Sequence, residues 1–344
     1  MKTVSGTTTA LNRRSLLRLA AATAAASAAG SSTLAFAAGE KAAFPTKPVR
    51  VIVPFAAGGA TDVLARSVCD KLGAQLGQPA IVDNRPGAGG LLACDAVAKA
   101  AADGHTLTLG TTSTMLSNQF MFKKLPYEPQ KDLVPVSRIC WAPIVLVINS
   151  KLPAKNLAEL MAYAQANKGQ LSYGSYGIGS QGHLVVASLS KITNADMTHI
   201  AYKGEAPMVQ DLVGGQLMIG IGSILSLKQH IDSGKLRAIA FTGLNRVPAL
   251  PDIPTFAELG HKQDAFTISG WLGVAATGAT PAAVVDQLGA EIRKALQTRE
   301  VNARVLMAGF VPLTEDTPQK YQADWKRELP IWKQLLKDAG VEPT

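Results

Sequence analysis

The stretch "VRVIVPFAAGGATD", residues 49–62, joins an apolar run, a loop with two adjacent glycines and the start of a helix. The run 49–53 predicts a strand, and the helix is predicted to begin near Thr61. Adjacent glycines let the main chain turn freely and let a ligand approach it closely. The helix N-terminus adds unpaired N–H groups and a partial positive charge. The stretch therefore predicts an anion-binding loop at the end of a strand.

The same order of strand, loop and helix recurs along the chain. Further strands are predicted in "PAIVDN", "HTLTLG", "LSYGS", "MTHIAY", "QLMIGIG" and "LRAIAFTG". Helical stretches such as "TDVLARSVCDKLGAQLG" and "QGHLVVASLSKIT" alternate with them. This alternation predicts an α/β protein, with parallel strands and helices on the faces of the sheet.

Two long apolar segments interrupt the alternation and divide it into two units. They span 133–150 and 265–277, and each is suited to a long strand that passes between the units. We expect one domain from residues 44–143 plus 268–344 and a second from 144–267. Two α/β lobes joined by two crossing strands form a hinged clam, whose cleft lies at the carboxyl ends of the strands.

Residues 1–37 are predicted to be a secretory signal peptide. They contain a basic start, "NRRSLLRLA", an alanine-rich apolar run and "AFA" at 35–37, which fits the A-x-A cleavage pattern. The paired Arg13 and Arg14 are typical of a twin-arginine signal. The alternative is a membrane anchor, which the short, alanine-rich run does not favour. We therefore expect a periplasmic protein that is cleaved near Ala37.

The charge of the chain argues against a nucleic-acid partner. Removal of the four basic residues in the signal segment lowers the formal net charge from +9 to +5. The remaining net positive charge is small, and the basic residues form no continuous block. It slightly favours anionic ligands.

Three cysteines, Cys69, Cys94 and Cys140, remain after the predicted cleavage. An odd number in an exported protein is not a complete disulfide framework. Cys69 and Cys94 lie on predicted helices, so the sequence leaves open whether they pair. We expect buried free thiols.

The strand-to-helix loops predicted to face the cleft are rich in Gly, Ser and Thr. They are "PFAAGGATD" and "GTTSTMLSN" in the first unit, and "GSYGIGSQGH", "YKGEAP" and "GIGSILS" in the second. Such loops bind a carboxylate through backbone N–H and hydroxyl groups. Their few charges are Asp62, Lys203 and Glu205. Asp62 either faces the ligand or stabilises its own helix, and Lys203 either meets the ligand or is solvated.

These loops carry no convincing catalytic or cofactor pattern. The chain contains no G-x-S-x-G nucleophile elbow. The residues "GIGSQG" at 177–182 have the G-x-G-x-x-G spacing, but a lone glycine pattern is a weak dinucleotide signal, and an exported protein seldom keeps NAD. Ser180 and His183 form a pair without an obvious orienting acid, so a packed or helix-capping histidine is favoured. No set of histidines and carboxylates has metal-ligand spacing. We expect no catalysis, cofactor or metal.

Seven ordered segments resemble the Bug proteins, the solute receptors of tripartite tricarboxylate transporters. They are "FPTKPVRVIVPFAAGGATDVLAR", "GQPAIVDNRPGAGG", "ADGHTLTLG", "GSYGIGSQGH", "AYKGEAPMVQDLVGGQ", "GKLRAIAFTG" and "GWLGVAATGATP". The resemblance covers nearly all of the chain after the signal segment. It implies the two-lobed, type II periplasmic-binding-protein-like fold and a small organic acid in the cleft. It also implies delivery of that acid to membrane transporter subunits.

The resemblance implies that main-chain groups and ordered waters of the loop 55–62 hold a ligand carboxylate, and that the loops at 113–114 and 175–183 complete the clamp. With the charged and terminal positions of the second-unit loops, the candidate ligand-binding residues are Phe55, Ala56, Gly58, Gly59, Thr61, Asp62, Ser113, Thr114, Ser175, Gly179, Ser180, His183, Lys203, Gly222 and Ser223.

The chain departs from the family pattern after "GGQ". Many family members carry V-D-L-M-F-D there, whereas this chain has "LMIGIG", so Met218 and Gly222 replace two frequent acids. Without an acid at Gly222 an ammonium group would lack a partner, so we expect plain organic acids, mono- or dicarboxylate, aliphatic or aromatic, bound by a monomer. Two rival functions stay open: a receptor that presents its ligand to a membrane sensor, and a periplasmic α/β hydrolase.

Overall fold

The computed structural model describes residues 2–3, 6 and 44–343. The predicted signal segment, 1–37, falls outside them apart from three isolated positions. Phe44–Thr344 forms one compact unit that contains two β-sheets. The α/β fold with two lobes is thereby confirmed, whereas the domain boundaries at 143/144 and 267/268 stay predictions.

The first sheet has six strands in the order β11-β4-β10-β3-β1-β2, and with its helices it forms lobe 1. These strands are β1 (Val49–Val53), β2 (Ala80–Asn84), β3 (Thr106–Thr111), β4 (Leu133–Ala142), β10 (Gly270–Thr277) and β11 (Val311–Pro312). β1 pairs in parallel with β2 and β3, whereas β10 runs antiparallel to β3 and β4.

The second sheet has five strands in the order β7-β6-β8-β5-β9, and with its helices it forms lobe 2. These strands are β5 (Val145–Asn149), β6 (Ser172–Ser175), β7 (Thr198–Ala201), β8 (Ile219–Gly222) and β9 (Leu236–Phe241). β6 is parallel to β7 and β8, and β5 runs antiparallel to β8 and β9.

Helices connect the strands in the predicted alternation. They are α1 (Ala60–Leu76), α2 (Leu91–Ala98), α3 (Thr112–Met115), α4 (Pro129–Asp132), α5 (Leu157–Ala166), α6 (Gln181–Thr193), α7 (Glu205–Gly214), α8 (Ile224–Asp232), α9 (Asp264–Thr267), α10 (Ala282–Gln297), α11 (Arg299–Met307) and α12 (Pro318–Asp338). No helix in the described ranges is long and apolar enough to cross a membrane.

The cleft edge of both sheets follows from the strand directions. β4 ends at Ala142 and β5 begins at Val145, so the chain crosses between the lobes there. β1, β2 and β3 run in the direction of β4 and end toward the crossing. β6, β7 and β8 run against β5 and also end toward it. The loops that follow these six strands therefore converge between the lobes.

The crossing segments differ from the long strands predicted from the sequence. The segment 133–150 is broken between β4 and β5 at Pro143, which has no N–H to continue a ladder. The segment 265–277 begins in the short helix α9 before β10 starts. Gln181 of α6 fastens lobe 2 to this second crossing, because it donates to the Ile268 carbonyl and accepts from Gly270 N–H, both at 3.0 Å.

Apolar side chains pack on both faces of each sheet. In β1, Val51 and Val53 face one cluster and Ile52 faces the other, as the alternation of a strand requires. The first cluster joins β1 to Leu64 of α1, and the second contains Trp271. Lobe 2 has a comparable pair of clusters. Buried faces on both sides explain why the strands are almost continuously apolar.

The three cysteines are buried free thiols, so Cys69 and Cys94 do not pair. Burial raises the pKa of the Cys69 thiol to about 12 and that of Cys94 to about 11. Both side chains therefore behave as small apolar groups at neutral pH.

Candidate functional site

The loop between β1 and α1 leaves its main chain open. Ala56, Gly58 and Gly59 are exposed. Gly58 has φ 89°, a conformation that favours glycine, whereas Gly59 has φ −78° and stands at the N-cap of α1. No side chain caps α1, so the first N–H groups of this 17-residue helix, including that of Thr61, are free of a capping partner. This loop and helix end provide the donors that an anion requires.

Asp62 holds this loop in place through hydrogen bonds. Its buried carboxylate accepts hydrogen bonds from Gly58 N–H at 2.8 Å, from Arg66 Nε at 3.1 Å and from Asn84 Nδ2 at 2.9 Å. Asn84 Nδ2 also donates to the Phe55 carbonyl at 3.1 Å. Burial raises the pKa of Asp62, but the hydrogen bonds from Arg66, Gly58 and Asn84 outweigh it and hold the pKa below its usual value. Asp62 thus stays ionised and holds both ends of the loop.

The loop after β3 uses its side chains differently at neighbouring positions. Thr114 is buried, and its hydroxyl donates to the Thr111 carbonyl and accepts from Thr111 N–H in a capping box, both at 2.9 Å. Ser113 is half-buried, and its hydroxyl makes no hydrogen bond to another described residue. Of this predicted pair, Ser113 is therefore the one whose hydroxyl stays available to a ligand.

The loop after β6 is closed by hydrogen bonds within itself. Ser175 and Ser180 both donate to the Gly177 carbonyl, at 2.9 and 2.7 Å. Ser180 also accepts from His183 N–H as the N-cap of α6. Gly179 has φ 67°, and a Cβ added there would lie 2.4 Å from Sδ of Met121 in lobe 1. The loop therefore touches the opposite lobe at a point where only glycine fits.

Two stacked histidines support this loop from the lobe 2 side. The rings of His183 and His199 lie 3.8 Å apart and are nearly parallel. Gly179 N–H donates to His183 Nδ1 at 3.2 Å, and His199 Nε2 lies 2.8 Å from Ser175 Oγ. Ser175 is fully buried, so its hydroxyl is closed to a substrate. The pair fixes the shape of the loop, and His199 is a support that the sequence did not indicate.

Lowering the pH from 7 to 4 is expected to destabilise the protein through this pair. Burial lowers the pKa of His183 and of His199 from 6.5 to about 4, with a further contribution from His183 at His199. Between about pH 6.5 and about pH 4, these two histidines bind protons in the unfolded chain but not in the folded protein. The stabilisation is therefore complete above about pH 6.5 and is lost as the pH falls toward 4.

Denaturant unfolding at pH 7 and pH 4.5 tests this expectation. A shift of this size corresponds to about 3 kcal/mol for His183 when the titration is complete. The variant His199→Phe keeps an aromatic stack and removes one titrating group, so its stability should depend less on pH. An unchanged pH dependence in this variant would contradict the assignment. Asp103, with its pKa held near 2, titrates below the window.

The loops after β7 and β8 meet at one carboxylate. Lys203 is exposed and forms no salt bridge within the described residues. Ser223 donates both its N–H, at 2.9 Å, and its hydroxyl, at 2.6 Å, to Glu205. A Cβ placed on Gly222 would lie 3.3 Å from Oε1 of Glu205. Position 222 itself carries no acid, but α7 brings the carboxylate of Glu205 to this corner from another part of the chain.

The candidate side chains thus divide into two groups. Asp62, Thr114, Ser180 and Ser223 give their polar atoms to the loops themselves, as do Ser175 and His183. Main-chain N–H groups and two half-buried hydroxyls, those of Thr61 and Ser113, keep no partner among the described residues. Fixed loops with free main-chain donors suit the capture of an anion better than its transformation.

Two open cavities, of about 550 and 440 Å³, lie beside α6 and α12 rather than at the converging loops. Lys191 and Asp338, which form a salt bridge at 3.2 Å, line both cavities. His183 alone of the candidate residues lines the larger one. The described residues also contain no group of three or more His, Cys, Asp or Glu side chains that could hold a metal ion.

Comparison with known proteins agrees with this geometry. The family model "Tripartite tricarboxylate transporter family receptor" matches residues 64–341. "Protein BugT" of Bordetella pertussis is 37% identical over 302 residues, covering 87% of this chain and 91% of that protein. The structure of the "periplasmic binding protein BugD" shares 35% identity with a TM-score of 0.76, over 88% of this chain and 100% of BugD.

A further solved structure, "R. palustris Rpa4515 with adipate", is 32% identical with a TM-score of 0.78, over 88% of this chain and 100% of that one. The family match spans most of the present chain, and the relatives align along nearly their whole length. The chain therefore belongs to the tripartite tricarboxylate transporter receptor family, a class of solute-binding receptors.

Proposed function

We propose that this chain is a periplasmic receptor that holds a small organic carboxylate at the N-terminus of α1 and delivers it to the membrane subunits of its transporter. One observation carries the proposal. α3 and α6 are capped by the side chains of Thr111 and Ser180, whereas α1 begins behind exposed glycines without a side-chain cap. The loop 55–62 therefore offers a ligand carboxylate unused main-chain donors.

The adipate in the relative Rpa4515 supports an organic acid as the ligand class. The proposed ligands are mono- and dicarboxylates, aliphatic or aromatic, bound by a monomer. The segment 1–37 directs export and is cleaved near Ala37. Receptor and sensor differ only in the membrane partner, and family membership supports the transporter.

We further propose that the bound acid is not transformed. Nucleophilic catalysis needs an exposed nucleophile, a base and a group that orients the base. Ser175 is fully buried, and no carboxylate within the described residues hydrogen-bonds the other ring nitrogen of His199. The loops at the converging strand ends supply donors for binding alone.

A thermal-shift and calorimetry screen tests both parts of the proposal. The panel is butyrate, γ-hydroxybutyrate, γ-aminobutyrate, succinate, hexanoate, adipate, benzoate, para-hydroxybenzoate and terephthalate. At 100 times its dissociation constant, a ligand should stabilise the protein by about 2.7 kcal/mol. Failure of every acid to bind would contradict the receptor, and consumption of a bound acid by the purified protein would contradict binding without catalysis.

A further inference from the structure

Glu205 places a carboxylate side chain at the lobe 2 end of the converging loops. It is the first residue of α7 and is half-buried. Its Oε1 accepts Ser223 N–H, and its Oε2 accepts the hydroxyls of Ser223 and Ser226. Three donors therefore hold the carboxylate in one orientation. A carboxylate has about four acceptor positions, so one position on Oε1 remains open.

This carboxylate lies at the boundary between the lobes. Gly222 ends β8 opposite Val145, the first residue of β5 after the crossing. The N-terminus of α8, whose N-cap Ser223 donates to Glu205, also touches lobe 1. A Cβ added to Gly309 of lobe 1 would lie 2.5 Å from Ile224, the first residue of α8. The loop 55–62 opens onto the same boundary from lobe 1, so Glu205 would lie on the lobe 2 side of a ligand held at that loop.

No cation balances the charge of Glu205. Within the described residues it forms no salt bridge, and Lys203, two positions earlier, is exposed and unpaired. At the start of α8 this side chain already accepts the Ser223 N–H and the hydroxyls of Ser223 and Ser226. An anionic ligand group at this corner would meet a like charge.

We propose that Glu205 determines which acids the receptor accepts: it excludes a second ligand carboxylate at the lobe 2 end and favours a ligand whose far end is neutral or carries a donor, such as a hydroxyl or ammonium group. The inference rests on the proposed function, because the first carboxylate of the ligand is held at α1. It replaces the expectation, drawn from the absence of an acid at Gly222, that ammonium groups lack a partner.

Matched ligands in the same panel test the proposal by calorimetry. In the wild type, succinate should bind more weakly than γ-hydroxybutyrate and γ-aminobutyrate, and terephthalate should bind more weakly than para-hydroxybenzoate. Glu205→Gln keeps the size of the side chain and removes its charge, so it should lower the ratio of dicarboxylate to donor-ligand dissociation constants by about tenfold.

Two control variants separate charge at the cleft from other effects. Asp232→Asn removes a negative charge from the exposed far end of α8, where Asp232 pairs with Lys228, and should leave the ratio unchanged. Ser226→Ala removes one donor to Glu205 but keeps the charge, so it should weaken all ligands alike. An effect of Ser226→Ala on the ratio as large as that of Glu205→Gln would mean that loop shape, not charge, sets the preference.

The outcomes are distinguishable. If acids bind and the ratio is the same in the wild type and Glu205→Gln, the proposal for Glu205 is overturned and the receptor function stands. A wild type that binds succinate or terephthalate more tightly than their donor-bearing partners also overturns it. If no acid of the panel binds the wild type, the proposed function fails and this inference fails with it.

Discussion

Replacing Asp62 by alanine is expected to weaken carboxylate binding roughly tenfold or more and to lower the free energy of unfolding by about 1–3 kcal/mol. The variant leaves Gly58 N–H and Asn84 Nδ2 without the acceptor they now share, and it releases the Phe55 end of the loop. Both consequences act on the main-chain donors that we assign to the ligand. Binding should therefore suffer even though Asp62 itself need not touch the acid.

Calorimetry with the tightest acid of the panel measures the binding loss, and denaturant unfolding measures the stability. Asp70→Ala is the matched control, because Asp70 lies on the same helix and is exposed. Asp62→Asn is a second variant that keeps the shape but offers only one acceptor atom, and it should be intermediate. Normal binding by Asp62→Ala would show that the loop 55–62 does not hold the ligand, or does not need Asp62 to do so.

Replacing Asp316 by alanine is expected to have the largest effect on stability, a loss of about 3–5 kcal/mol. Asp316 holds the guanidinium of Arg138 through two contacts, Nε at 3.0 Å and Nη2 at 2.7 Å, and both side chains are fully buried. Asp324 of α12 also accepts from Nη2. The variant leaves Arg138 with one carboxylate for a charge buried in β4, and burial of an incompletely paired charge is costly.

Urea unfolding of Asp316→Ala checks this value. Asp232→Ala removes an acid from an exposed pair with Lys228 and should cost less than about 1 kcal/mol, as exposed ion pairs do. A loss of similar size in both variants would show that the buried network contributes no more than a surface pair. The double variant Arg138→Met with Asp316→Ala should recover part of the loss, because it removes the buried charge together with its partner.

The contacts of Asp62 and of Arg138 differ in how far the sequence predicts them. Asp62 stands in a conspicuous loop, and the sequence left open whether it faces the ligand or serves its own helix. The structure gives it contacts with Gly58 and Arg66 on either side and with Asn84 on β2. The pairing of β1 with β2, set by the sheet, decides the third contact.

The sequence also contains a signal for the buried cluster around Arg138. Arg138 is a single charge in the apolar run "LVPVSRICWAPIVLVINS". A charge inside a buried strand requires a partner, so the run predicts an acid somewhere else in the chain. Nothing in the sequence identifies Asp316, which lies 178 positions away, as that acid.

The sequence by itself determined the α/β alternation, the two sheets and the glycine loops at the strand ends. These features depend on residues two to four positions apart, which are neighbours within any strand or helix, so their pattern can be read directly. It also determined the family, through ordered segments that cover nearly all of the predicted mature chain.

Only the tertiary structure decided which polar groups remain free for a ligand. Glu205 reaches Gly222 and Ser223, and His199 stacks on His183, because sheet order places β7, β6 and β8 side by side. Such contacts join residues that are distant in the chain, and they depend on strand order and register rather than on local pattern. Gly222 carries no acid, but Glu205 brings a carboxylate to the same corner. This contact forms only when the chain folds.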